Sequence, residues 1–151
     1  MHAPTAVIAE DQDFHPRVRR ERSPRLLVVD DDAEFLELAG LLLSGEGIQV
    51  MAARTALEAI RLARRAAPDL VLCDLVLPGA PAGGLDVLAA LRSSPRTRGV
   101  PIFAMSGEVG DGPGVLAAGF DALFPKPVNW PRLRDLVRRL LGVEGRGRPP
   151  V

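Results

Sequence analysis

The sequence predicts an α/β domain in which a five-stranded parallel sheet has helices on both faces. Five short apolar runs alternate with five segments of helical periodicity along the chain, which is the pattern of strand–helix–strand units. Only three or four residues separate most of these segments, as such units require. The first run, Leu26–Val29, is apolar without interruption, as expected of a strand that is covered on both faces.

The first predicted strand covers about residues 25–30 and leads into a helix over about 33–44. Phe35, Leu38 and Leu42 recur at helical spacing and are predicted to lie on one face of this helix. Two glycines follow directly and end it, because glycine readily adopts the backbone conformation that stops a helix.

The second strand is predicted at 48–52, and a capping box begins the helix that follows it. Thr55 and Glu58 have the spacing in which each side chain bonds a free backbone N–H at the helix start. This helix runs to about Ala67, where a proline breaks it, and the third strand follows at 70–73.

Glycine and proline shape the second half of the domain. A loop over 78–84 leads to a helix over about 85–93, and the fourth strand is predicted at 101–105. Residues 107–114 contain four glycines and a proline, which leave room only for a short helix near 115–119. The fifth strand is predicted at 122–125 and the last helix at 130–141, with Leu133, Leu136, Val137 and Leu140 facing inward.

Length and composition indicate a single soluble domain with a flexible segment at each end. The 151 residues are 47% apolar, enough for a packed core. The mixed, aperiodic residues 1–24 are predicted to be a flexible N-terminal extension and residues 143–151 a flexible C-terminal tail, which leaves residues 25–142 as the domain.

Charge and cysteine content exclude several classes of protein. Nineteen acidic residues balance nineteen basic ones, so no net charge favours nucleic acid or a membrane surface. No apolar stretch approaches the roughly 18 residues of a membrane span. The lone cysteine, Cys73, has no internal partner for a disulfide, which fits a reducing compartment and predicts a cytoplasmic protein.

Reactive side chains follow four of the five predicted strands. Asp30, Asp31 and Asp32 follow the first strand and Asp74 the third. Ser106 and Lys126 follow the fourth and fifth. Since parallel strands share one carboxyl edge, where ligands of such sheets bind, these residues are expected to converge in space. Each of them alone is more typical of a turn or a helix cap, as Asp32 illustrates.

The chemistry that such a cluster favours is phosphoryl transfer assisted by a metal ion. Clustered carboxylates need a cation, and carboxylate oxygens with water suit magnesium. Lys126 is the sole lysine among nineteen cationic residues, and a compact ammonium can contact one small anion where a guanidinium is too wide. Ser106 can donate a hydrogen bond to a second phosphoryl oxygen, and Asp74 is then the nucleophile that forms an acyl phosphate.

These residues together resemble the receiver domain of bacterial two-component response regulators. The resemblance rests on Leu27–Asp31, on Asp74 with Leu77–Pro78 shortly after it, on Ser106–Gly107 and on Lys126–Pro127. It covers about residues 24–142 and implies a flavodoxin-like, doubly wound sheet in the order 2-1-3-4-5.

The resemblance also implies a role for each site residue. Asp74 accepts phosphate from a kinase phosphohistidine, and Asp31 and Asp74 bind Mg²⁺ directly. Asp30 acts on the metal through water, and Val76 contributes its backbone carbonyl. Ser106 and Lys126 bind the phosphoryl group, and the peptide bond between Lys126 and the following proline is cis.

The sequence departs from the receiver pattern in three places. The loop 78–84 is about two residues longer than usual and has Gly83 where receivers have an acid. The fourth helix is short. Leu123 occupies the position three residues before the lysine, where receivers usually have an aromatic residue. In the family, phosphorylation draws the serine or threonine inward and the aromatic ring moves in after it. Leucine fills that space but has no hydroxyl that could exchange hydrogen-bond partners.

The expected function is that of a stand-alone receiver, because the tails are too short for a DNA-binding or enzymatic domain. Its expected partners are a sensor histidine kinase or a histidine phosphotransfer protein and a downstream protein target, with no direct contact to nucleic acid or membrane. It is not expected to be an enzyme beyond its own phosphorylation and dephosphorylation. The partner surface is expected on the fourth helix, fifth strand and last helix. Four arginines of the last helix are expected to make this surface basic, and the alternative is that they form an ordinary solvated helix face: Arg132, Arg134, Arg138 and Arg139.

Two other functions are compatible with the sequence. One is a pseudo-receiver, an interaction module without physiological phosphorylation, for which magnesium binding without phosphate uptake is the expected sign. The other is a small phosphatase of the aspartyl-phosphate type, which requires a second acid two residues after the nucleophile; Asp32 instead follows Asp31 directly.

Overall fold

The computed structural model describes residues 7–8, 22–45, 47–107 and 112–143 of the chain. Its helices and strands alternate in the predicted order. The parallel strands are β1 (Arg25–Val29), β2 (Gln49–Ala53), β3 (Leu70–Asp74), β4 (Ile102–Ser106) and β5 (Ala122–Pro125). The helices are α1 (Ala33–Leu43), α2 (Ala56–Ala66), α3 (Gly84–Arg92), α4 (Gly112–Ala118) and α5 (Trp130–Leu140).

The five parallel strands lie in the order β2-β1-β3-β4-β5, as predicted. The order reverses between β1 and β3, which pair with Leu26 opposite Leu70 and Val29 opposite Cys73. In doubly wound sheets ligands bind at the carboxyl edge beside this reversal. The topology therefore places the ends of β1 and β3 next to each other at that edge.

Two helical layers bury opposite faces of the sheet. In the first layer, here the α1/α5 layer, Ala39 and Leu43 of α1 and Leu133, Val137 and Leu140 of α5 pack on alternate strand residues. In the second, the α2–α4 layer, α2, α3 and α4 cover the other face with small and branched side chains. The central strands are therefore buried on both sides, which explains their unbroken apolar runs.

The face of α1 that carries Phe35, Leu38 and Leu42 is only partly buried. Ala39 and Leu43 are the buried residues of this helix, whereas Phe35 and Leu42 are half-buried and Leu38 is 41% exposed. The helix has leucine on nearly all sides, so apolar periodicity does not single out one face. The fourth helix is short, as predicted, but it begins at Gly112, three residues before the predicted start.

The sheet has a sixth strand that the sequence pattern did not indicate. Val7–Ile8 pairs antiparallel with the outer edge of β5, with Val7 opposite Leu123 and Ile8 opposite Ala122. These two residues belong to the segment predicted to be a flexible extension. Most of that segment, and the predicted tail after residue 143, lie outside the described residues.

The described residues just outside the predicted domain bounds contact the domain. Arg22 donates to both carboxylate oxygens of Asp69, at 2.9 and 3.3 Å, and Val143 is buried, with its N–H bonded to the carbonyl of Arg138. Among the helices that the structure describes, none has the length and apolar character needed to cross a membrane.

Candidate functional site

The reactive residues predicted from the strand ends meet at one edge of the sheet. Asp30 follows β1, Asp74 and Ser106 end β3 and β4, and Lys126 follows β5. The backbone N–H of Lys126 donates to the carbonyl of Ser106 at 2.7 Å, so the last two strands hold these residues side by side. Asp30, Asp74 and Ser106 are buried although their side chains are polar.

Lys126 joins the two buried carboxylates. Its Nζ lies 2.6 Å from Oδ2 of Asp30 and 2.9 Å from Oδ2 of Asp74. Burial lowers the pKa of the Lys126 ammonium, but the hydrogen bonds to the two carboxylates and the attraction of their negative charges together outweigh burial and keep this pKa above its ordinary value. The lysine therefore stays charged in the folded protein at neutral pH.

Both carboxylates are held in the same way by the backbone that follows them. Oδ1 of Asp30 accepts the N–H of Asp32 at 3.0 Å, and Oδ1 of Asp74 accepts the N–H of Val76 at 3.1 Å. In each case Oδ1 accepts the N–H of the residue two positions downstream, while Oδ2 accepts a hydrogen bond from the Lys126 ammonium. Burial raises the pKa of Asp30, although its bonds to Lys126 and to the Asp32 N–H oppose the effect.

The carboxylates of Asp30, Asp31 and Asp74 fit a divalent cation. Each offers one oxygen, and these three oxygens lie within 4.8 Å of one another. Asp31 is exposed, whereas the other two are buried, so the cluster opens to solvent on one side. Three carboxylates face one ammonium, so the negative charge is only partly balanced. All-oxygen ligands with negative charge are the donors that magnesium prefers.

Arg54 supports the carboxylate cluster from the side of β2. It directly follows that strand, and its guanidinium donates to the carbonyl oxygen of Asp31 from Nε at 3.3 Å and from Nη2 at 3.0 Å. The sequence pattern did not single out this arginine. Its position at the end of the strand beside β1 is the signal that marks it.

An aromatic pair lies next to the lysine. Nζ of Lys126 is 5.1 Å from the centroid of the Phe35 ring, and the Phe35 ring lies 5.2 Å from that of Trp130, tilted by 34°. An ammonium over a ring face is attracted by the negative face of the π system. Phe35 was predicted only to lie on one apolar face of α1; its position four residues after Asp31 is what brings it to the site.

The remaining predicted residues are placed as follows. Val76 is 74% exposed in the loop after β3, and the Lys126–Pro127 peptide bond is cis. Asp32 caps α1, with its side chain accepting the N–H groups of Glu34 and Phe35. The roles of all the predicted site residues toward a ligand stay predictions: Asp30, Asp31, Asp74, Val76, Ser106 and Lys126.

Gly83 has a steric reason for lacking a side chain. Its φ is +57°, and a Cβ at this position would lie 2.0 Å from the carbonyl oxygen of Leu75. The lengthened loop therefore passes so close to the end of β3 that it excludes an acid here. Asp86 caps the loop instead, since its Oδ2 accepts the N–H of Ala82 at 3.3 Å.

Leu123 and Cys73 are packed in the core of the α2–α4 layer. Leu123 is 2% exposed and lies in the same cluster as Val115 of α4. Cys73 is fully buried. Burial, reinforced by the charges of Asp74 and Asp30, raises the pKa of the Cys73 thiol to about 12, so the thiol is uncharged and unreactive at neutral pH.

Comparison with known proteins gives a consistent result. The family model described as "Response regulator receiver domain" matches residues 26–138. The polar-differentiation response regulator DivK of Brucella ovis is 30% identical over 119 residues, which cover 78% of this chain and 95% of that protein. The same identity and coverage hold for DivK of Brucella anthropi.

Solved structures show the same fold. A putative response regulator from Chloroflexus aurantiacus matches with a TM-score of 0.71 and 29% identity, covering 80% of this chain and 99% of that one. A response regulator from Desulfuromonas acetoxidans matches with a TM-score of 0.70 and 28% identity over 80% and 98% of the two chains.

Proposed function

The chain belongs to the response regulator receiver family of two-component systems, and we propose that its Asp74 accepts a phosphoryl group from a phosphohistidine. The donor is a sensor histidine kinase or a histidine phosphotransfer protein. The observation that carries this proposal is the bridge that Lys126 makes from Asp30 to Asp74 beside the exposed Asp31.

The proposed step is a displacement at phosphorus. A carboxylate oxygen of Asp74 forms a bond to the phosphorus atom, the bond between phosphorus and the histidine nitrogen breaks, and the freed imidazole nitrogen keeps the electron pair and takes up a proton. Lys126, already 2.9 Å from Oδ2 of Asp74, pairs with a phosphoryl oxygen as charge builds up there. The hydroxyl of Ser106 donates to another phosphoryl oxygen.

Asp31 and Asp74 would hold Mg²⁺ directly, with the carbonyl of Val76 as a further ligand and Asp30 acting through water. When bound, the ion neutralises charge on the carboxylates and phosphoryl oxygens. The exposed position of Asp31 and the proximity of the three carboxylates support this assignment. The protein's own contribution is to keep Asp74 oriented through the Val76 N–H and the Lys126 ammonium.

The phosphorylated domain signals as a stand-alone cytoplasmic protein through contacts with a downstream protein or by phosphorelay, without binding nucleic acid or membrane. The proposed partner surface comprises α4, β5 and α5. Four arginines of α5 contribute positive charge to it: Arg132, Arg134, Arg138 and Arg139.

A pseudo-receiver is the second candidate. It is favoured by Leu123, whose buried side chain offers no hydroxyl for the usual aromatic switch. Binding of Mg²⁺ without uptake of phosphate would distinguish this candidate from the first.

The direct test is incubation with Mg²⁺ and acetyl phosphate, which loses acetate as the carboxylate attacks its phosphorus. The mass of the intact chain should rise by one phosphoryl group. Asp74→Asn should block the gain, whereas Asp135→Asn, an exposed aspartate on α5, should leave it unchanged. Equal uptake by wild type and Asp74→Asn would overturn the assignment.

A further inference from the structure

We propose that Phe35 positions the Lys126 ammonium and passes its movement to Trp130, so that the phosphorylation state of Asp74 is transmitted to α1 and α5. This inference rests on the proposed phosphorylation of Asp74. It assigns the first step of the conformational response to the α1/α5 layer rather than to the aromatic position that Leu123 occupies.

Lys126 is held from three directions. Two are the carboxylates of Asp30 and Asp74, at 2.6 and 2.9 Å, and the third is the face of the Phe35 ring, 5.1 Å from Nζ to the centroid. The ring attracts the ammonium from the side of α1. A change in the ammonium's anionic partner therefore changes its distance from the ring.

Phosphorylation changes that partner. In the unmodified protein the ammonium bonds a carboxylate oxygen of Asp74 directly. In the acyl phosphate the negative charge lies on phosphoryl oxygens, which are farther from the Asp74 side chain by the length of the added bonds. A charge-assisted hydrogen bond to one of those oxygens is stronger than the contact to a neutral acyl ester. The Lys126 ammonium therefore moves toward the phosphoryl oxygens and away from the face of the Phe35 ring.

The Phe35 ring is coupled to Trp130 by direct packing. Their centroids are 5.2 Å apart, and both side chains are partly buried against the core of the α1/α5 layer. Trp130 is the first residue of α5 and Phe35 lies in the first turns of α1. Because packed side chains have few alternative arrangements, a shift of one ring requires the other to repack, and the change reaches the starts of both helices.

At the position that Leu123 occupies, the opposite layer has no aromatic ring that could make such a response. Leu123 is 2% exposed and belongs to the same buried cluster of the α2–α4 layer as Val115. The described ring pairs, Phe35 with Trp130 and Phe103 with Phe124, belong to the α1/α5 layer. The ring that contacts the lysine, Phe35, and its neighbour Trp130 therefore both lie on the side of α1 and α5.

The test uses Trp130 as a reporter, because the chain has one tryptophan and no tyrosine. The full-length protein is treated with Mg²⁺ and acetyl phosphate, and tryptophan emission and intact mass are followed in the same sample. In the wild type the emission should change in step with the mass. Compared with the wild type at equal mass gain, Phe35→Leu should show an emission change that is smaller by roughly threefold or more, since the coupled contact is gone.

Phe120→Leu is the matched control, because Phe120 is a buried phenylalanine of the opposite layer and its loss should leave the response intact. A purely structural role of Phe35 would alter stability but not the response. Uptake of phosphate by the wild type with unchanged Trp130 emission would overturn this inference alone. Absence of any mass gain in the wild type would overturn the proposed function and this inference with it.

Discussion

Nζ of Lys126 lies 2.6 Å from Oδ2 of Asp30, a residue with no exposed surface. Burying a carboxylate and an ammonium costs solvation free energy that their attraction roughly offsets, but removing one partner leaves an unpaired buried charge. The same ammonium also pairs with Asp74. The lysine therefore keeps two carboxylates close together in the absence of metal and phosphate.

Lys126→Met should destabilise the metal-free protein by about 2–4 kcal/mol, because Asp30 and Asp74 then face each other without a cation. Adding Asp30→Asn to this variant should recover a large part of the loss, since one of the repelling charges is gone. Urea unfolding at neutral pH in the presence of a chelator measures both values. A double variant no more stable than Lys126→Met would show that charge pairing is not the cause.

Alkaline pH should destabilise the protein through two groups. Burial raises the pKa of Cys73 from 9.0 to about 12. Burial lowers the pKa of Lys126, but hydrogen bonds to Asp30 and Asp74 and the negative charges of these residues together raise it above 10.5. Both groups therefore stay protonated to higher pH in the folded chain than in the unfolded chain. Each lowers the free energy of unfolding, by up to about 1.4 kcal/mol per pH unit, as pH rises from its unfolded to its folded pKa.

Few other side chains titrate at alkaline pH, because the chain has one lysine, one cysteine and no tyrosine. Wild-type stability should begin to fall near pH 9. In Cys73→Ala the loss of stability should begin only above pH 10.5. Adding Lys126→Met should remove most of the remaining loss of stability at alkaline pH. A Cys73→Ala protein that still loses stability from pH 9 would contradict the raised thiol pKa.

Asp31→Ala should weaken Mg²⁺ binding by at least about tenfold while leaving the metal-free protein as stable or up to about 1 kcal/mol more stable, since it removes a repelling charge. Asp32→Ser is the matched control, because serine can still cap α1 and Asp32 lies outside the carboxylate cluster. Metal titration followed by Trp130 fluorescence or NMR gives the affinities. Equal affinity in wild type and Asp31→Ala would exclude the site as described.

Gly83→Ala should cost about 3 kcal/mol or more of stability, whereas Gly79→Ala should cost only about 1 kcal/mol. Both glycines have positive φ, of +57° and +77°, but a Cβ at Gly83 would lie 2.0 Å from a backbone oxygen and one at Gly79 would meet no atom within 4 Å. Thermal unfolding compares the two. Similar losses would show that the loop can move away from Leu75.

The carboxyl-edge cluster could be predicted because strand ends in a parallel sheet must share one edge. Asp30, Asp74, Ser106 and Lys126 follow apolar runs that are unmistakable in the sequence. The exposure of Leu38 could not be predicted, since α1 is leucine-rich on nearly all sides. The strand Val7–Ile8 is too short to have any periodicity.

The supporting contacts of the site depend on three-dimensional geometry that no local pattern encodes. Arg54 donates to a backbone carbonyl, that of Asp31. Any long polar side chain at that strand end would look the same in the sequence, so the pattern does not predict this contact. The contact of Phe35 with Lys126 joins residues about ninety positions apart. Both contacts follow from the topology only once the helix and loop positions are known.

The central claim, that Asp74 takes its phosphoryl group from a phosphohistidine, is tested most directly by phosphotransfer. Histidine kinases of the host, labelled on histidine with radioactive phosphate, are mixed in turn with wild type and Asp74→Asn in the presence of Mg²⁺. Label should pass rapidly from at least one kinase to the wild type and not to the variant. Failure of every labelled kinase to transfer, or equal transfer to both proteins, would contradict the claim.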